Sequence, residues 1–263
     1  HDSVATVLVA RRSGYNFLLG TGVNPYKYNP TDQYLQYYKM MRKLASGADF
    51  LVTHVGWDMK KLQELQWYLQ MRETGAPVLA RLALLSPEDI RKMDRGLFPG
   101  VCISRTFAAT LQRESNLNVN QSLAAQLQRL TLQAAGCRLL GYSGIVLVGI
   151  REPSMLATAA ERITEGMDAY ASYEEWVTAW EEHHRTMEFS PFAGAYYVFR
   201  DLLSPDRRMY DADTCELAEC PFPHSTRRDL LRSRLLELCT SEAIPEAASR
   251  LLVSLLSPGR IPD

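Results

Sequence analysis

Along the first 165 positions, strand-length apolar runs take turns with stretches of helical spacing. Asp2 or Ser3 is a natural N-cap for a helix over Val4–Arg12. Phe17–Val23 is a short apolar strand that stops at Asn24-Pro25, because proline cannot extend a ladder. The segment Asp32–Ser46 carries Tyr34, Leu35, Tyr38, Met41, Leu44 and Ala45 at three-and-four spacing, with Thr31 or Asp32 as its cap. A second strand is expected over Phe50–Val55, a helix over Asp58–Thr74 ending at Gly75, and a third strand over Pro77–Leu84. Ser86-Pro87-Glu88-Asp89 combines an N-cap, a proline at the first helical position and acids in the first turn. A further helix, Asn120–Ala135, should close at Gly136. The strand Gly144–Ile150 and a helix over Pro153–Ile163 follow.

Nearly continuous apolar strands separated by helices predict a parallel sheet covered on both faces. Four such units are half of a (β/α)8 TIM barrel, or a small open α/β sheet. Near Gly166 the character changes. Tyr170–His184 is rich in tryptophan and charge, and Pro191–Leu203 is an aromatic helix expected to face a core. A proline- and cysteine-bearing loop over Ser204–Ser225 leads to amphipathic helices over Arg227–Cys239 and Glu246–Leu256. Two units are therefore expected, an α/β unit over 1–165 and an all-helical extension over 166–263.

Composition narrows the class. The chain is 46% hydrophobic and 22% charged, ordinary for a globular protein. A formal net charge of −1 excludes the basic footprint of a nucleic-acid binder. No apolar run approaches the roughly 18 residues needed to span a bilayer, so no membrane partner is expected. Five scattered cysteines fit a reducing compartment, the cytoplasm, better than a disulfide scaffold. The chain opens without an initiator Met, on a helix cap, as a piece of a longer protein would. Gly20-Thr21-Gly22 lacks the third glycine and the helix of a dinucleotide fingerprint, and neither a nucleophile elbow nor a His-Glu-x-x-His motif occurs.

The ordered landmarks are Gly22-Val23-Asn24-Pro25, Asn29-Pro30, a helix carrying Arg42-Lys43, Gly47-Ala48-Asp49, the strand into Val55-Gly56-Trp57-Asp58, and Gly75-Ala76-Pro77-Val78. On these, residues 1–150 resemble the methylenetetrahydrofolate reductase family, flavoprotein (β/α)8 barrels that reduce the methylene group on folate to methyl. The resemblance maps the chain onto the last four β/α units of that barrel. Catalytic residues are then expected in the first half, on a preceding segment or a partner chain, because a half barrel leaves sheet edges open.

The resemblance implies FAD as cofactor and a folate-type small molecule as substrate, with a homo-oligomer as a further expectation. Lys39, Arg42 and Lys43 match the helix that lies along the flavin diphosphate; in isolation, Arg42-Lys43 would complement the helix dipole. Asn24 and Asn29 stand where the family has flavin-contacting tyrosine and histidine, and Tyr26 and Tyr28 lie close by for stacking. His54 replaces a folate-contacting glutamine and could donate to a pterin, or be satisfied by nearby backbone. Trp57 could stack on a flat ring or pack beneath the following helix. Cys215, Cys220 and His224 form a weak Cys-x4-Cys-x3-His metal set, one ligand short of a structural zinc site. Cys102 and Cys137 read as small buried apolar residues. Two other functions are compatible with the pattern. One is a barrel that kept the fold as a binding or scaffold subunit; the other is a pterin-linked methyl-transfer protein.

Overall fold

In the computed structural model, which describes residues 2–186 and 196–199, the sheet begins at Asp49. Its carboxylate accepts from the Leu19 amide and the Arg11 guanidinium, each at 2.7 Å. These two contacts join the entries of the first two strands to the first helix. They also hold the Asp49 carboxyl below the usual carboxylate range, the amide being the larger cause. Just before it, Gly47 turns at φ +103°, a left-handed backbone suited to glycine.

The elements in chain order are α1 (Ser3–Arg12), β1 (Gly20–Val23), α2 (Pro30–Ala45), β2 (Phe50–Thr53), α3 (Met59–Met71) and β3 (Val78–Ala83). They continue with α4 (Pro87–Asp94), α5 (Arg105–Ser115), α6 (Val119–Leu139), β4 (Gly144–Val148), α7 (Pro153–Met167) and α8 (Tyr173–Thr186). The four strands form one parallel sheet in the order β1-β2-β3-β4. Each crossover carries at least one helix, as parallel pairing requires. The register runs Val23 beside Thr53, Val52 beside Leu79, and Arg81 beside Val146. The strands expected from the apolar runs are all present, each trimmed at one or both ends.

Leu51, Thr53, Val78, Ala80 and Leu82 are buried on one face of the sheet. The opposite face alternates with them and carries exposed Gly20 and Gly22 and half-buried Phe50, Val52, Leu79 and Arg81. Cover is thus less complete there than an apolar parallel sheet predicts. Among the described residues, a small cluster forms at the strand exits of this second face, where Val101, Ile103 and Phe107 gather with Ala83 and Val148. At the same exits, Gly149 (φ +85°) runs so close to the next strand that a Cβ there would stand 2.0 Å from the Leu84 carbonyl oxygen.

The structure corrects several sequence expectations. Gly136 does not close α6; the helix continues to Leu139. The glycine is there because the Trp176 ring lies against it, and a Cβ would come within 2.1 Å of that ring. Asn29, rather than Thr31 or Asp32, caps α2, accepting from the Asp32 amide at 2.8 Å. The buried stripe of α2 is Gln33, Tyr37 and Met40, whereas Leu35 is exposed. Helix α5 had no counterpart in the predicted pattern. Finally, Tyr196–Phe199 is a bend rather than part of a helix. Its backbone is held by side chains of α3, Glu64 Oε1 accepting from the Val198 amide at 2.7 Å. The remainder of the expected helix Pro191–Leu203, and the helices expected over Arg227–Cys239 and Glu246–Leu256, lie outside the described residues.

Helix α8 shares the main core: Trp176 and Trp180 are buried with strand residues Leu51, Val78 and Ala80. Among the described residues, no helix is long and apolar enough to cross a membrane.

Replacing a mid-helix glycine by alanine ordinarily stabilises by about 1 kcal/mol. At Gly136 the sign should reverse, because the Trp176 indole is buried and anchored by its Nε1–H to the Leu132 carbonyl at 2.8 Å. We expect Gly136→Ala to cost about 1–3 kcal/mol in chemical denaturation, the usual range for overpacking.

Candidate functional site

Parallel strands deliver their functional side chains at their carboxyl ends. One residue past β1 and β2 stand Asn24 and His54, neighbours by register, with the His54 amide donating to the Val23 carbonyl at 2.7 Å. Above them passes the loop containing Gly100, at φ +77°. A side chain at Gly100 would lie 3.3 Å from Asn24 Nδ2 and 3.4 Å from His54 Nε2, so glycine keeps this approach open. Asn24 ties the loop down: Nδ2 donates to the Gly100 carbonyl and Oδ1 accepts from the Tyr26 amide, both at 3.1 Å. His54 is half-buried, with Nδ1 3.4 Å from the Val55 carbonyl oxygen. The two predicted residues are therefore brought together.

Of the basic residues of α2, Lys43 reaches β1. Lys43 Nζ donates to the Gly22 carbonyl at 2.7 Å, two residues before Asn24. Burial and the neighbouring Lys39 ammonium lower its pKa, so an anion placed there would relieve both. Lys39 is exposed and Arg42 half-buried. Asn29 is exposed and spends its side chain within the cap of α2, its Nδ2 also donating to Asp32 Oδ2 at 2.7 Å. Trp57 is 5% exposed and meets Phe107 of α5 edge-on, with ring centroids 5.1 Å apart. It packs beneath a helix, although that helix is α5 and not α3. Cys215, Cys220 and His224 lie outside the described residues. Among the described residues, no cluster of three or more metal-ligating side chains occurs.

Two arginines escaped the sequence reading. Arg81 faces away from the helix-covered side of β3, and its Nε is buried without a hydrogen-bond partner. Its signal was a charge inside the apolar run Val78–Leu85. Arg151 follows β4 and stands 3.9 Å from Asp89 at the start of α4. With Leu84, Ser86, Gln126 and Gly149 it borders a cavity of about 280 Å³ over the exits of β3 and β4. A larger groove, about 1020 Å³, is lined by α6, α7, α8 and the α7–α8 link, including Arg162 and His183. No strand-end residue borders it, and the Asn24–His54 pair lines neither space.

Beneath the exits lies a buried polar cluster. Asp58 caps α3, accepting from the Lys60 amide at 3.0 Å, and burial together with this carboxylate holds the nearby Tyr28 hydroxyl well above its ordinary pKa. Its burial raises the carboxyl pKa, a shift that Lys60 and Lys61 oppose. The Gly56 carbonyl accepts from Tyr26 (3.3 Å) and Gln133 (2.8 Å). No family model matches this chain, and no curated protein matches it.

Because the fold disfavours ionised Asp58, the contribution of this group to stability is greatest below its unfolded pKa and is lost as pH rises through its raised folded value. Asparagine caps helices as well as aspartate does. We therefore expect the stability of Asp58→Asn, measured by urea denaturation across pH, to rise relative to wild type through that window. Asp58→Ala should lose about 1 kcal/mol with the cap.

Proposed function

We propose that this chain supplies the last four β/α units of a (β/α)8 barrel and the cofactor-facing side of a flavin-dependent, folate-active oxidoreductase of the methylenetetrahydrofolate reductase type. The observation that carries this reading is the convergence at the exits of β1 and β2. Asn24 and His54 stand side by side under the Gly100 loop, with a desolvated ammonium, Lys43, at the adjoining edge. A barrel-type active face and a diphosphate-seeking cation then share one corner of the sheet.

The residues present fit a flavin dinucleotide in part. Lys39, Arg42 and Lys43 would neutralise its diphosphate, and Asn24 would hold the Gly100 loop over the ligand to exclude water. His54 Nε2, beside Gly100, would exchange a hydrogen bond with the polar edge of a pterin. When bound, FAD supplies hydride transfer; the chain supplies position and charge. Acid–base groups of the first barrel half complete the site in this reading.

A second reading, a binding or scaffold subunit that kept the fold without the chemistry, draws on different observations. Asn29 is committed to a helix cap and Trp57 to the core, so neither is available to a ligand.

Titration of the purified chain with FAD separates the two. The oxidoreductase reading expects a yellow complex that survives gel filtration. Lys43→Ala should weaken it about tenfold or more, the worth of one charge-assisted hydrogen bond. A chain that stays colourless and binds no FAD leaves the scaffold reading in place.

A further inference from the structure

Asn24 and His54 extend into a third strand. Val52 pairs with Leu79, so two residues on His54 comes level with Arg81, whose amide donates to Thr53 Oγ1 at 2.9 Å. Arg81 pairs in turn with Val146 of β4. The four residues make a row across the less covered face of the sheet, polar on three strands and apolar on the fourth. We propose that this row binds the carboxylate of a small ligand with a flat or apolar body, with Arg81 as the anchor.

The argument starts from what Arg81 lacks. Arg81 is half-buried, and a guanidinium drawn partly out of water loses hydration that charges in proteins ordinarily recover by pairing or hydrogen bonding. Arg81 Nε is buried with no hydrogen-bond acceptor, and among the described residues no carboxylate forms an ion pair with Arg81. Nε faces inward, so the Nη–H groups are what a ligand meets, and their end-on fork matches the two oxygens of one carboxylate. On its own face Arg81 is flanked along β3 by Leu79 and Ala83 and across by Val146, with Val52 one step down β2. These surfaces suit the body of an apolar or aromatic acid better than a hydrated phosphate. His54 and Asn24 then continue the polar line toward Lys43.

The inference rests on the reading of the strand exits as a ligand site, but not on a flavin. Its test therefore uses the chain without FAD. Benzoate, as a flat carboxylate probe, is titrated into the full chain while the arginine Nε–Hε resonances are followed by NMR. One resonance, absent in Arg81→Gln, should shift saturably. Arg81→Lys, which keeps the charge but loses the fork, should weaken binding at least tenfold, and inorganic phosphate should bind more weakly than benzoate. Circular dichroism of the two variants reports folding, and the wild-type shift stands even if a variant is destabilised. No saturable shift of that resonance would sink the proposal, and so would tighter binding of phosphate. A benzoate response that survives Arg81→Gln and disappears in Lys43→Ala would do the same, placing the anion on α2. A chain that binds benzoate at Arg81 but never binds FAD would overturn the reductase reading alone.

Discussion

The fold is organised by a helix that keeps no wet face. Every position of α3 from Met59 to Leu69 is buried, including Lys60, Lys61, Gln63, Glu64 and Gln66. Taking a charge out of water costs several kcal/mol unless geometry compensates it. Here Lys61 and Glu64 pair at 3.2 Å with both side chains fully buried, and the Lys61 ammonium lies 3.9 Å from the centre of the Tyr197 ring. Glu64 also takes the Val198 amide, and Gln63 hydrogen-bonds the hydroxyls of Tyr173 and Tyr196. Aromatic contact adds to this: Trp67 stacks on Tyr196 and meets Phe199 edge-on. The sealed helix thus binds the sheet, α8 and the Tyr196–Phe199 bend into one core. Loss of any single polar partner would leave a charge or amide dry and unmatched, which makes the arrangement cooperative.

The order of strands and helices was legible because a parallel sheet spaces its apolar runs with crossovers long enough to show helical periodicity. All four strands follow the runs read from the chain, and Ser86 caps α4 where its flanking pattern places it, while Asp58, expected as the first residue of its helix, is the cap of α3. The misses share a cause in tertiary context. Gly136 looks like a stop signal because nothing local reveals the tryptophan 40 positions later that needs its missing side chain. Helix α5 begins after an irregular stretch at Ser104 and is anchored by Phe107 and Leu111, too few apolar positions to stand out. The wet-looking polar residues of α3 give no hint of burial, since their partners arrive from Tyr173 and Tyr196–Phe199. The aromatic spacing around Tyr196–Phe199 suggests a helix, but Glu64 of α3 takes the Val198 amide and the segment bends instead.

For the candidate site, position was more legible than role. Asn24 and His54 were singled out as strand-end residues, and they are neighbours. Asn29 was singled out by the same proline-rich signature, but a helix start next to a proline selects asparagine for capping quite apart from any ligand. The family-like Gly47-Ala48-Asp49 stretch turns out to be architectural, joining two strand entries and α1 through Arg11. Arg81 went unnoticed because alternation is hidden in a strand whose other residues are all apolar. Only pairing with β2 and β4 shows which side of the sheet it occupies.

The close passage of Gly149 under the Leu84 carbonyl has a mechanical meaning. Backbone lies against backbone there, and the Leu84 amide donates to the Val148 carbonyl at 3.0 Å, so the exits of β3 and β4 are joined without an intervening side chain. Loop rearrangement around the cavity bordered by Arg151 must carry both exits as a rigid pair. Any breathing of this face is therefore left to the Gly100 loop, which the Asn24 side-chain amide ties to the strand ends.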